Sequence, residues 1–378
     1  MNIEQQIYAN GVWQTKLSET EAKKCQLVLV FGAPELIVKP EIFQHLRNVY
    51  PLAHLVYSST AGEINNDSVQ DGTIVTTAIE FEKTKLQCFK TNIEQHSDSY
   101  EAGKFLANLF PKEDLQGLFI ISDGTLVDGG ELTAGLSENI EKQIPITGGL
   151  AGDAARFEKT QTGLDEIPSQ GNIIAVGFYG KNLLIGHGSL GGWDEFGYER
   201  EITRSNKNVL YEIDGKNALG LYKNYLGDYA KDLPGSALLF PLSVRTNDSD
   251  RSLIRTILAV DDDHQSMIFA GNVPQGSRAR LMRANFNKLI DASSIAAKDS
   301  LESLGSVKPQ LTVMVSCVGR KIILDSRTSE EVDAAVNVIG SKVPITGFYS
   351  YGGISPFAIG MPCELHNQTM TITTFAEF

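Results

Sequence analysis

The chain has no apolar run near the roughly 18 residues that a bilayer-spanning helix requires, which argues against a membrane protein. Its first residues, MNIEQQIYANGVWQTKLSETEAKK, lack the basic start, apolar stretch and small-residue cleavage site of a secretory leader, so the cytoplasm is the expected location. Positive charge is in deficit: Lys and Arg number 33 against 46 Asp and Glu, a formal net charge of -13. A phosphate backbone is gripped by concentrated positive charge, so nucleic acid is not an expected partner. Cysteine is scarce as well. Cys25, Cys88, Cys317 and Cys363 form no Cys-x-x-Cys pair, which removes the usual zinc and dithiol patterns. No phosphate-binding Walker loop, Gly-x-Ser-x-Gly elbow or His-Glu-x-x-His helix occurs. Neither Ser122 nor Cys317 has a recognisable base beside it, so no enzyme is expected. Ser122-Asp123-Gly124-Thr125 reads as a turn, and Asp261-Asp262-Asp263 as a solvated hairpin tip without calcium-loop spacing.

What is present is one short phrase written three times. Ala53 leads through Ser58-Ser59-Thr60-Ala61-Gly62 to Glu63-Ile64, Ile144-Pro145 through Thr147-Gly148-Gly149 to Asp153, and Val343-Pro344 through Thr346-Gly347-Phe348-Tyr349 to Gly352-Gly353-Ile354. Each joins a short apolar run to a turn of small residues whose amides lie unshielded, and such turns can cradle a ligand. The phrases recur within longer units of strand, helix, strand-turn and strand. The first has 27–31, 41–50, the phrase and 73–81; the second has 117–122, 131–142, the phrase and 172–179; the last has 311–317, 329–339, the phrase and 370–375. Helical spacing also marks 98–110 and 284–304. The middle, with strand-like 238–244, 253–260 and 267–273, could be a divergent further copy, although it carries no glycine phrase. A chain of 378 residues exceeds one ordinary core. The expected fold class is therefore α/β: two lobes of mixed β-sheet covered by helices, built from duplicated strand-helix-strand-strand units and joined near Gly191-Gly192-Trp193.

Several segments in register resemble the FIST family of sensory proteins. They are Ser59–Ile64, Gly148–Asp153, Gly192-Trp193 with Phe196-Gly197, Tyr211–Ala218 followed by Tyr222, Gly319-Arg320 after the Cys317 strand, Gly347–Ile354, and His366–Thr371. The resemblance covers nearly the whole chain and implies a FIST N-terminal domain at 25–195 and a FIST C-terminal domain at 200–378. It further implies an intracellular signal-transduction module. A chain of this size is similar to the haem-binding nitric-oxide-sensing proteins (NosP). That likeness implies haem as cofactor, a small diatomic gas as signal, and a partner histidine kinase, diguanylate cyclase or phosphodiesterase, with a homodimer as a further option. The alternative is a module for an amino acid or another small ligand, without haem.

Haem would need an apolar slot, one axial ligand, cations for the propionates and an open distal side. Of the six histidines, His45, His96 and His264 read as surface or loop residues. His187, between Gly186 and Gly188 at the end of a strand, is the first choice for the iron, with His54 and His366 behind it. Arg245, Arg255 and Arg320 are candidates for an anionic ligand's carboxylates. The glycine phrases themselves read as shared scaffold, so a ligand is expected where the copies diverge, around His54, His187 and Phe348-Tyr349. For the alternative ligand, Ser59, Thr60, Thr147 and Thr346 with their neighbouring amides would be donors.

Overall fold

Three five-stranded units account for most of the fold. A computed structural model describes residues 1–14, 22–247 and 251–378. The first unit holds β1 (Asn2–Ala9), β2 (Leu27–Gly32), helix α1 (Pro40–Val49), β3 (His54–Ser59), β4 (Glu63–Asn65) and β5 (Ile74–Glu80). The second holds β6 (Lys85–Asn92), α2 (Ser99–Leu109), β7 (Leu115–Ser122), α3 (Gly129–Asn139), β8 (Ile146–Leu150), β9 (Thr162–Leu164) and β10 (Asn172–Tyr179). The third opens with β11 (Leu183–Leu190) and, after a long interruption, continues with α4 (Phe286–Glu302), β12 (Leu311–Cys317), α5 (Val318–Leu324), α6 (Thr328–Ile339), β13 (Ile345–Ser350), β14 (Gly352–Pro356) and β15 (Met370–Glu377). The mixed sheets and covering helices are those expected from the sequence. The helix ends have local causes: Pro40 opens α1, and the Asp98, Asp128 and Asn285 side chains accept an N–H from the first turns of α2, α3 and α4.

Each unit makes the same sheet. A central strand (β2, β7, β12) runs parallel to the phrase strand (β3, β8, β13) and antiparallel to the closing strand (β5, β10, β15), which pairs in turn with the first strand (β1, β6, β11). The fifth strand follows each glycine phrase and leaves for another sheet. β4 pairs with β13, β14 with β8, and β9 with β3, all antiparallel, so the three units exchange strands in a closed ring. Successive residues of the central strands face opposite sides, as the strand period requires. Leu27, Leu29 and Phe31, Phe119 and Ile121, and Leu311, Val313 and Val315 meet in one core between the sheets, with Phe348 4.7 Å from Phe31 and Phe178 5.2 Å from Phe375. Val28 and Val30 face α1, while Leu118, Ile120 and Met314 face the other helices.

The interruption, 194–283, forms a separate lobe with one eight-stranded sheet and its own core around Ile202, Leu219, Tyr222, Met267 and Phe269. Every pairing in that sheet is antiparallel. Among the described residues it therefore lacks the parallel pair that defines the units, and the expectation of a further copy there is not met. The reason is visible in the sequence, since no glycine phrase lies in this stretch to turn a phrase strand into a donated one. The lobe leaves the body just after Gly191-Gly192-Trp193 and rejoins it before α4, so 284–378 returns to share sheets with the first half of the chain.

The repeated glycines answer to crowding. Gly148 and Gly347 hold the same place beside the central strand, opposite Ile120 and Met314. A Cβ added there would stand 1.9 Å from the Ile120 carbonyl oxygen and 2.0 Å from that of Met314. Gly148→Ala and Gly347→Ala should each cost roughly 2–4 kcal/mol in urea unfolding. Gly235→Ala, whose methyl meets open space, should change stability by less than about 0.5 kcal/mol.

Candidate functional site

The ring of exchanged strands brings the three phrases into direct backbone contact. Gly152 N and Ala154 N donate to Ser59 O and Thr60 O, Ala61 N donates to Tyr349 O, Tyr349 N to Gly62 O, and Tyr351 N to Leu150 O, at 2.8–3.3 Å. Beside this junction, at the carboxyl ends of β2, β3 and β12, lies a cleft of about 550 Å³. That volume falls in the range of small-molecule sites, and the carboxyl edge of a sheet is where open α/β folds hold ligands. Its floor is the first phrase, Thr60 to Glu63; its walls are the turn at Asp71-Gly72, the residues Ala33 to Glu35, Ala154-Ala155, and the α5 face with Val318, Lys321, Ile322 and Asp325.

Lys321 is the cation of the cleft. Its Nζ donates to Ala61 O at 2.9 Å, pairs with the Asp71 carboxylate, and lies 5.5 Å over the Tyr349 ring. An ammonium has three protons, so beyond Ala61 and Asp71 it has the capacity to serve one further acceptor. Gly62, at φ +135°, leaves the space this ammonium fills, since a Cβ there would come within 2.4 Å of Nζ. Glu63 is buried beneath, where its carboxylate accepts from Thr60 Oγ1 and from the Thr73 N–H and hydroxyl at 3.0 and 2.7 Å. Burial raises its carboxyl to about 7, outweighing the three donors that favour ionisation.

Behind Lys321 runs a buried chain of polar groups. Tyr349 OH donates to Glu331 at 2.8 Å, and Glu331 binds Arg320 at 2.7 and 2.8 Å with both side chains fully buried. Arg320 also donates to Gly191 O at 2.6 Å and Leu289 O at 2.7 Å.

The residues expected to bind a ligand are spread over several places. Tyr349 is buried under Lys321, behind the residues that line the cleft, while Phe348 fills the central core. His54 begins β3, at the end away from the cleft, with Nδ1 2.8 Å from Asp165, which Arg47 also holds at 2.6 Å. Arg245 lies in the 194–283 lobe and donates to Glu199 at 2.9 Å. His187 and His366 are brought together: both are buried and bond the successive carbonyls of Pro356 and Ser355 at the end of β14. Burial lowers both, His366 to about 4, so they are neutral at pH 7. Arg255 is buried and donates to the Asn272 and Leu365 carbonyls. Asp123 collects the N–H groups of Thr125, Leu126 and Gly171, as a turn carboxylate does.

The surroundings of His187 do not fit a haem. The glycines expected to admit a flat macrocycle sit instead under α4: a Cβ on Gly186 would lie 1.8 Å from Ser300 O, and one on Gly188 2.1 Å from Ala296 O. His187 Nδ1 has no partner, but it is sealed from solvent. The cleft, in turn, is lined by no histidine among the described residues. Lys321, Asp71 and Glu63 are not among the residues the sequence marks as a site. The first phrase does carry a signal, its unshielded turn, but Asp71 and Lys321 belong to no motif.

The sequence matches the FIST N domain over residues 26–216 and the FIST C domain over residues 218–356. It is 24% identical over 317 residues to the uncharacterised protein MJ1623 of Methanocaldococcus jannaschii, a match covering 77% of this chain and 59% of that protein. The chain thus spans about three-fifths of the length of that curated relative. Among the described residues no helix is long and apolar enough to cross a membrane.

The folded protein holds the Glu63 proton more tightly than the unfolded chain does, so Glu63 lowers stability as pH rises from 4.5 through about 7. Glu63→Gln should flatten that part of the profile by on the order of 3 kcal/mol, read from urea midpoints at pH 5 and pH 7.5.

Proposed function

The chain belongs to the FIST family, whose domains are sensory modules of signal transduction, and from that premise we propose that it senses a free amino acid bound in the cleft beside Lys321. One observation carries the reading: a single ammonium is held over a glycine turn, in a cleft of small and apolar residues whose other charged lining residues are all acidic. Lys321 would take the ligand's carboxylate, which can displace Asp71. Asp325 would face its α-ammonium, and Glu35, which also holds Arg156 at 3.5 Å, is left to favour a cationic side chain, so L-arginine is the best match. Such charge-assisted bonds are stronger than neutral ones and select against uncharged ligands.

The output belongs to the same proposal: a partner histidine kinase or cyclic-di-GMP enzyme reads the occupied state, and no catalysis by this chain is required. Nitric-oxide sensing through haem, the other reading of the resemblance, finds little support in the packing around His187.

Calorimetric titration with the amino acids, L-arginine first, tests the ligand. We expect binding at one site, weakened at least about tenfold in Lys321→Met and less in Asp325→Asn, and a rise in stability of about 2.7 kcal/mol at a hundredfold excess over Kd. Absence of heat and of any thermal shift across the set would sink the reading. For the cofactor, reconstitution with hemin should give no stoichiometric Soret band; a band lost in His187→Ala would restore haem.

A further inference from the structure

The short helix α5 touches the cleft with one face and the 194–283 lobe with another. Lys321 and Ile322 line the cleft. The next two residues, Ile323 and Leu324, pack in a small apolar cluster with Trp193, Met282 and Leu289, against which Leu238, Leu239 and Ile254 of the lobe are laid. This cluster sits where the chain enters and leaves the lobe, at Trp193 and Met282. Between the two faces, Arg320 grips the carbonyl of Gly191 on the entering segment and that of Leu289 on α4, the first helix after the chain leaves. Trp193 is itself pinned, its Nε1 donating to Gln368 O at 2.9 Å.

Resting on the assignment of the cleft as the ligand site, we propose that α5 couples occupancy of the cleft to the seating of the 194–283 lobe on the body. Two routes leave the cleft and end at the same joint. One is the helix itself: it has seven residues, about 10 Å in length, so a shift of Lys321 moves Leu324 as one piece. The other is the buried chain from the Tyr349 ring under Lys321, through Glu331 and Arg320, to Gly191 O. An anion that takes Lys321 from Asp71 draws the ammonium off its place between Ala61 O and the Tyr349 ring. The helix and the Arg320 grip then settle anew against the lobe. A close-packed joint answers such a displacement by repacking, because interiors have few voids to absorb it. The lobe's position is then the difference a partner protein reads.

The joint can be read without any ligand present. The chain has two tryptophans, and Trp13→Phe leaves Trp193 as the only reporter at the joint. In that protein, Lys321→Ala should shift the Trp193 emission maximum and speed amide hydrogen exchange across 194–283, with the fold retained by circular dichroism. Lys112→Ala, an exposed position outside both the cleft and the joint, should leave both unchanged. If Lys321→Ala moves neither signal, or Lys112→Ala moves both equally, the coupling is wrong. Because coupling is reciprocal, Met282→Ala at the joint should also change L-arginine affinity about fivefold or more without touching the cleft. Should Met282→Ala retain wild-type affinity, the coupling fails while the cleft stands. If wild-type protein binds no L-arginine, the ligand reading fails, and the emission and exchange results still decide the coupling.

Discussion

The backbone junction of the three glycine phrases is the constraint on which the rest of the molecule depends. At each phrase the chain stops pairing within its own sheet and donates the next strand to another. Gly148 and Gly347 lie so near the carbonyls of Ile120 and Met314 that any larger residue would push apart the parallel pair at the heart of a sheet. The ring of exchanges then binds the units through main-chain hydrogen bonds, and the central core of Phe31, Phe178, Phe348 and Phe375 forms inside it.

Pseudo-symmetry explains the scaffold, and its breakdown explains the site. The three phrases occupy equivalent places, yet they carry different groups: Glu63 in the first, Asp153 in the second and Gly353 in the third. Asp153 is consumed by the N–H groups of Phe157, Glu158 and Lys159 and by the Tyr351 hydroxyl. At the first phrase the carboxylate turns inward to Thr60 and Thr73, and the space above it is open and carries Lys321. The buried Arg320–Glu331 pair behind that space is more informative about specificity than about stability. Its desolvation offsets much of its attraction, but losing either partner strands a buried charge at a cost of about 3–5 kcal/mol. It therefore fixes where the Gly191 segment must sit.

Much of the scaffold is legible in the sequence because it depends on local pattern. The runs 27–31, 117–122 and 311–317 are short, apolar and β-branched, and each is a central strand in the structure. The site is legible only in part. Tyr349 stands out for its place in a diverging phrase; it is buried beneath Lys321 and does not line the cleft itself. His187 stands out because flanking glycines suggest room, but those glycines are small to admit the α4 backbone, and a sequence shows only that a residue is small, not what presses on it. Helix α5 escapes notice because seven residues carry too little periodicity to separate a helix from the end of a strand.

The sequence by itself determined the α/β class, the three repeated units and the family. Each of these rests on neighbours in the chain: apolar alternation, helix caps and small residues at turns. Only the tertiary structure decided the cyclic exchange of strands, the separate 194–283 lobe and the cleft. The physical reason is distance along the chain. Lys321 and Asp71 are 250 residues apart, and they meet because the first unit's phrase is drawn into the third unit's sheet, a pairing no local pattern encodes.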